Sequence, residues 1–288
     1  MKITKLEHLH ADAGQRNFDF LKISTDDGLV GWSEYNESFG GLGVSAVIDG
    51  LASQVIGKDP TAYEALVTLM YAVRRQAAGG VVQQAIGAIE NALLDIKAKA
   101  LGIPVYTLLG GPVRDTIRLY WSHCGTYRIA WAEQMQIPAL RTLQDVVNAG
   151  KEVRERTAIP VASCECLFGR RDFRPFFENG SVDVAIIDTP WNGVAESLKI
   201  ASMADAYEIN VAPHNFYGHL ATMMSAHFCA VVPNLRIMEI DPDTVPWYDE
   251  LVTVKPDIRD GHLHLPTGPG WGTEVNEAGV RAHPPRKR

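Results

Sequence analysis

Long apolar runs, an excess of positive charge and a cysteine framework are all missing from this sequence, and each absence excludes a class of function. No apolar run approaches the roughly 18 residues of a membrane span, so no membrane partner is expected. The opening stretch MKITKLEHLHADAG lacks the apolar core of a signal peptide. With 27 Lys and Arg against 34 Asp and Glu, the net charge is −7. That balance argues against a nucleic-acid surface but leaves room for small anionic substrates held locally. The four cysteines, Cys124, Cys164, Cys166 and Cys229, form no CxxC pair and no zinc spacing. Cys164 and Cys166 are too close for a comfortable disulfide. We read them as reduced thiols of a cytoplasmic protein.

What is present describes a globular chain with a substantial core: 288 residues, 46% hydrophobic and 21% charged, enough for one large domain or two ordinary ones. Residues 1–34 read as strands, KITKLEHLHA and then DFLKISTDDGLVGWSEY, with Asp27-Gly28 as a hairpin signal between alternating apolar residues. Residues 42–101 turn helical. In AIGAIENALLDIKAKALG, the residues Ile86, Ile89, Leu93, Ile96 and Ala100 fall on one face and Gly102 is the stop. GIPVYTLLGGPVRD is a Gly/Pro-punctuated connector and a domain-boundary candidate.

After Arg114, short apolar strands alternate with helices. The strands are IRLYWSH (117–123), IPVASCE (159–165), VDVAIID (182–188), NVAPHN (210–215) and RIMEID (236–241). The last four begin 23, 28 and 26 residues apart. Regular βα units of this size predict a parallel sheet, most simply a barrel ringed by helices. The strands end in His123, Glu165, Asp188, His214 with Asn215, and Glu239 with Asp241. In such a barrel the carboxyl ends of the strands form the active-site face. The stretch TAIPVASCE sharpens the point, because a carboxylate ending a buried strand points to a metal, and a divalent ion needs several such acids. Length does not fit a whole barrel, however. A βα barrel takes about 250 residues, and the first 113 leave 175. The shortfall is about three βα units, and one helix, RTLQDVVNAGKEVRER, separates the first strand from the second.

Taken in order, STDDGLVGWSE, AIENALLDIKAKALGIPVYTLLGGPVRD, IPVASCE, IIDTPWNG, NVAPHN and RIMEID resemble the enolase superfamily, specifically its mandelate racemase/muconate lactonizing enzyme-like members of the mandelate racemase subgroup. The likeness spans nearly the whole chain. It implies an α/β protein: an α+β capping domain at 1–113, a modified and truncated TIM-type (β/α) barrel at 114–270, and a C-terminal segment, 271–288, that returns to the capping domain or trails as a disordered tail. It further implies Mg²⁺-assisted removal of a proton next to a carboxylate, as in acid-sugar dehydratases, with racemisation of hydroxy acids in other members. By position, Glu165 matches the third metal-binding carboxylate, on the fifth barrel strand. Asp188 and His214 match a dyad on the sixth and seventh strands, the aspartate orienting the histidine and raising its basicity. Glu239 matches the eighth-strand acid that hydrogen-bonds the developing enediolate, a role requiring a protonated carboxyl.

The departures are as informative. The family's second-strand base and its Asp and Glu ligands on the third and fourth strands have no counterpart here. The Lys97-Ala98-Lys99 triplet lies in a capping-domain helix, where residues two apart do not share a face. VRER runs directly into TAIPV, so the second to fourth strands read as deleted near Arg156–Thr157. One protein carboxylate plus water holds Mg²⁺ weakly.

Each candidate has a plainer alternative. Glu165 could be a strand-end acid paired with Arg170 or Arg171; His214 could be a satisfied core histidine; Glu239 and Asp241 could be solvated loop acids. His123 could meet substrate from the first strand or merely cap the barrel mouth. Arg16, in the loop after the first strand, could meet a substrate carboxylate or stand exposed. His219 and His227 read as structural residues of a helix, and Trp191 and Trp271 as packing residues. The expected function is that of a Mg²⁺-dependent acid-sugar dehydratase with impaired activity, acting on a small carboxylate and assembling as a homo-oligomer. The alternatives are a non-catalytic remnant or oligomer scaffold, with open edges on the first and fifth barrel strands unless these close onto each other, and a racemase or epimerase.

Overall fold

The computed structural model describes residues 1–38, 41–122, 131–137, 139, 141, 160, 162–242 and 244–285. The strands β1 (Ile3–Asp12), β2 (Asn17–Thr25) and β3 (Val30–Tyr35) form an antiparallel sheet in that order. The second turn is the one the sequence marks: Gly28 sits at φ 91°, a conformation glycine adopts without steric cost. Three helices cover the sheet, α1 (Val44–Val55), α2 (Tyr63–Val73) and α3 (Gly80–Leu101). A methyl group at Gly31 would stand 2.2 Å from the Ala92 carbonyl, so glycine there lets β3 lie directly on α3. The helix α3 is buried from Gln83 to Ile96 on nearly every side, because the sheet covers one face and the barrel domain another. Ala100, expected on its buried stripe, is exposed in the final turn. Gly102 ends the helix at φ 68°.

Beyond the connector comes β4 (Thr116–Tyr120), then β5 (Ala162–Ser163), α4 (Gly169–Glu178), β6 (Val184–Asp188), the short α5 (Thr189–Asn192), α6 (Val194–Asp205), β7 (Asn210–His214), α7 (His219–Val231) and β8 (Met238–Glu239). β5, β6 and β7 pair in parallel, as do β4 and β8. Val211 bonds the segment entering β8, through Asn234 O at 2.9 Å and Arg236 N at 2.8 Å. The five parallel strands therefore lie in the order β5-β6-β7-β8-β4, an arc of a barrel. β5 and β8 are two residues each, shorter than the sequence pattern suggests. The expected open edge on the first barrel strand is not found: β10 (His262–His264), in a hairpin with β9 (Asp257–Arg259), pairs antiparallel with β4. Among the described residues, no strand pairs with the outer edge of β5. The expected helix over 141–156 lies outside the described residues, apart from Arg141.

The chain's last elements return to the cap. Trp271 is fully buried; its backbone N–H donates to Asp95 at 3.0 Å and its indole to Trp32 O at 2.8 Å. The helix α8 (Glu277–Ala282) packs on β1. Two buried acids of the cap hold helices of the barrel. Glu34 accepts from Gly218 and Ala221 N–H at the start of α7, and Glu90 accepts from Ala195 N–H at the start of α6. Both satisfy helix N–H groups that have no partner within their own helix. These contacts seat the cap over the tips of the parallel strands.

Candidate active site

The ladder between β6 and β7 puts Asp188 directly opposite His214, so two residues 26 positions apart become side-by-side neighbours at the strand tips. Nδ1–H of His214 donates to Asp188 Oδ2 at 2.7 Å. The aspartate is fully buried and takes two further donors, Trp191 N–H at 2.8 Å and the Tyr217 hydroxyl at 2.5 Å. Its position is thus fixed by the strand, by the first turn of α5 and by the loop entering α7. Burial works against an imidazolium at His214, but the Asp188 hydrogen bond and charge, with Glu239 and Glu165 behind them, outweigh it and raise its pKa above the usual histidine value.

With Nδ1 engaged, Nε2 of His214 points into the mouth, 3.5 Å from Glu165 Oε1 and 3.7 Å from Glu239 Oε2. Glu239 is buried at the end of β8, level with Tyr120 of β4. Its Oε1 accepts from the Ser122 hydroxyl and its Oε2 from Asn215 N–H at 3.1 Å. Glu165 lies in a turn beyond β5 rather than within a strand, and its side chain is 46% exposed. The residue before it, Cys164, has φ 91°, uncommon for a side-chain-bearing residue. Its Oε1 lies 3.5 Å from His214 Nε2, and no bridge to Arg170 or Arg171 is formed. The four tips named from the sequence, Glu165, Asp188, His214 and Glu239, therefore come together at one mouth.

Arg16 is not an exposed loop residue. It is 5% exposed, and its guanidinium lies 4.1 Å over the Phe216 ring and 5.3 Å from Tyr217. It anchors the cap's first loop to the loop that carries Tyr217. His123 lies outside the described residues. Trp191, expected as packing, stacks on Phe168 at 5.7 Å and stands 6.1 Å from the His214 ring, so it walls one side of the mouth. His227 is structural as expected, accepting from Tyr106 N–H at 2.9 Å, and burial lowers its pKa to about 3. Lys97 and Lys99 stay in the cap, Lys97 over Tyr63 and Lys99 on Asp95. Sequence reasoning missed Tyr217 and Ser122. Each follows or precedes a strand-tip residue closely, and that proximity is the signal that could have found them.

The described residues do not by themselves fit Mg²⁺. No three His, Cys, Asp or Glu side chains among them form a group able to hold a metal ion. Glu239 is already engaged by Ser122 and Asn215 and Asp188 by its three donors, which leaves Glu165 as the one ligand candidate carried by the pattern.

Comparison with known proteins places this geometry. Residues 113–279 match the family described as enolase C-terminal domain-like, and residues 9–110 match the mandelate racemase/muconate lactonizing enzyme N-terminal domain. The chain belongs to the enolase superfamily. Among curated members, the D-galactonate dehydratase of Xanthomonas campestris is 29% identical, with 96% of this chain and 93% of that protein covered. The match runs over 357 residues, whereas the whole chain has 288. Among solved structures, a putative L-alanine-DL-glutamate epimerase from Burkholderia xenovorans is 38% identical, covers 99% of both chains and has a TM-score of 0.90; it has also been solved with magnesium and fumarate. A putative galactarate dehydratase from Agrobacterium radiobacter, 24% identical over 100% of this chain and 97% of that one, has a TM-score of 0.79 and shares the fold. Superfamily relatives of this chain are thus dehydratases and epimerases, and no described helix is long and apolar enough to cross a membrane.

Proposed function

We propose that this chain carries a reduced acid-sugar dehydratase site in which His214 alone moves the proton. The observation that carries the reading is the 2.7 Å Asp188–His214 bond, with Nε2 left facing two carboxylates at a shared mouth. A neutral His214 would take the proton from the carbon next to the substrate carboxylate, and the C–H electron pair would pass into an enediolate. The imidazolium would then return that proton to the hydroxyl leaving the neighbouring carbon, which departs as water. Asp188, held by Tyr217, stabilises the imidazolium. Glu239, when it carries a proton, would hydrogen-bond the enediolate oxygen. Glu165 would keep the ancestral metal-ligand position, and Arg16 would brace the loop over the substrate.

We further infer that three βα units are absent between β4 and β5. β4 and β5 begin at 116 and 162, 46 residues apart (162 − 116), no more than about two of the steps of 22 to 28 residues between the starts of β5, β6, β7 and β8, where a complete barrel would have four. The longer span of the dehydratase match agrees. The lost strands are those that carry the second base and two metal carboxylates in the family pattern, so turnover is expected to be weak. Assaying a panel of aldonates and aldarates with Mg²⁺, beside the X. campestris D-galactonate dehydratase, tests this. The expected result is dehydration at least about a thousandfold slower per molecule, the order of loss seen when essential catalytic groups are removed. Equal rates would sink the reading.

The epimerase relative favours a second reading, exchange of a proton at one carbon. That chemistry needs a base on each face, and the described residues place His214 on one. Inversion of substrate configuration without loss of water would favour it.

A further inference from the structure

A cleft of about 860 Å³ opens between the end of α2 on the cap and the first turns of α4 on the barrel. Its volume lies within the range of small-molecule sites, roughly 300 to 1,000 Å³. Four arginines line it, Arg75 from the cap and Arg170, Arg171 and Arg174 from α4. Two of them are neutralised locally: Arg170 Nε meets Glu196 at 2.9 Å, and Arg174 Nε meets Glu178 at 2.6 Å. Asp172, the remaining acid of the cleft, accepts from Phe168 N–H. Arg75 and Arg171 meet no carboxylate among the described residues, so two guanidinium charges are left uncompensated, one on each wall. On a chain of net charge −7 this is a local reversal of sign.

The α4 N-terminus adds little, since Gly169 N–H is taken by Asn192 and Arg170 N–H by Glu196. The guanidiniums are what make the cleft attractive to anions. The cleft also has apolar lining, from Ala72, Phe168 and Met203. Tyr71 shares this wall, its hydroxyl donating to Gln83 at 2.7 Å. The cleft is separate from the mouth at His214, because the stacked rings of Phe168 and Trp191 stand between them.

We propose that this cleft binds a small organic phosphate ester, its phosphate between Arg75 and Arg171 and its carbon body against Phe168 and Met203. A dianionic phosphate offers several oxygens, so two planar guanidiniums can each engage it through paired N–H donors, whereas a carboxylate presents one charge and two oxygens. Such a ligand would bridge cap and barrel, and binding would raise the melting temperature.

Titration calorimetry at low salt, with a chelator present so that no metal mediates binding, tests the site with phenyl phosphate, inorganic phosphate and benzoate. Phenyl phosphate is expected to bind with a millimolar or tighter Kd, and the other two more weakly. Both arginines are exposed, so Arg75→Gln with Arg171→Gln should leave melting in the absence of ligand unchanged while weakening phenyl phosphate binding by about tenfold or more. His214→Asn should bind as the wild type does. No saturable binding of phenyl phosphate, equal binding by the double variant, loss of binding in His214→Asn, or benzoate binding as tightly as phenyl phosphate would each overturn the proposal.

Discussion

Glu90 shows how much a single buried side chain does in this molecule. Its carboxyl reaches across the domain boundary to cap α6, and Gly193 makes the approach possible, since a methyl group there would lie 2.5 Å from Glu90 Oε1. Burial raises the Glu90 pKa to about 8 from an ordinary 4.5, with the Ala195 N–H pulling the other way. In that window the folded chain holds a proton the unfolded chain has lost. Stability from this group is therefore greatest below the unfolded value and falls as pH rises toward the folded one, by about 1.4 kcal/mol per pH unit between them. Glu34, raised to about 7 by burial, acts in the same direction. Glu90→Gln keeps an oxygen for Ala195 but cannot titrate. The melting temperature of the wild type should drop relative to the variant between about pH 5 and pH 8; parallel curves would contradict the assignment. Neither acid was legible as a cap from sequence, because SEY and AIEN look like strand and helix interiors, and the helix starts they serve lie more than a hundred residues away.

At the scale of elements, the sequence was most legible where the pattern is local. The Asp27-Gly28 turn, the end of α3 and the tips of β6 and β7 follow from turn chemistry, a glycine stop and polar residues closing apolar runs. The hairpin of β9 and β10 carried the same signal, Asp260-Gly261, both at positive φ as a tight two-residue turn requires, but its flanking strands are three residues each and show little alternation. Its pairing with β4 is long-range and was not legible at all. β5 was overread for the opposite reason: IPVAS looks like a buried strand, yet Ala162 and Ser163 are exposed because their outer edge meets no described strand. Hydrogen exchange checks this. Amides of β5 should exchange at least about a hundredfold faster than those of β6, whose residues pair on both sides. Equal protection would mean that the edge is covered after all.

For the whole molecule, the arc formed by the described parallel strands has a chemical as well as a structural consequence. The described strands hold Asp188, His214 and Glu239 at their tips, each positioned by its own ladder and by the cap, while no described strand carries the family pattern's other acids. Convergence of the strand tips was legible because parallel βα units all end on one face. The wall formed by Trp191 and the brace from Arg16 were not, since both depend on how cap and loops fold over that face. The central claim is that His214, oriented by Asp188, can still move a proton at the carbon next to a carboxylate. The most direct measurement is proton NMR of D-galactonate in heavy water with the wild type and with His214→Asn, following the hydrogen on that carbon. The claim predicts its gradual replacement by deuterium or loss with water in the wild type, and neither in the variant. A signal that persists with the wild type, or decays equally with both proteins, would contradict it.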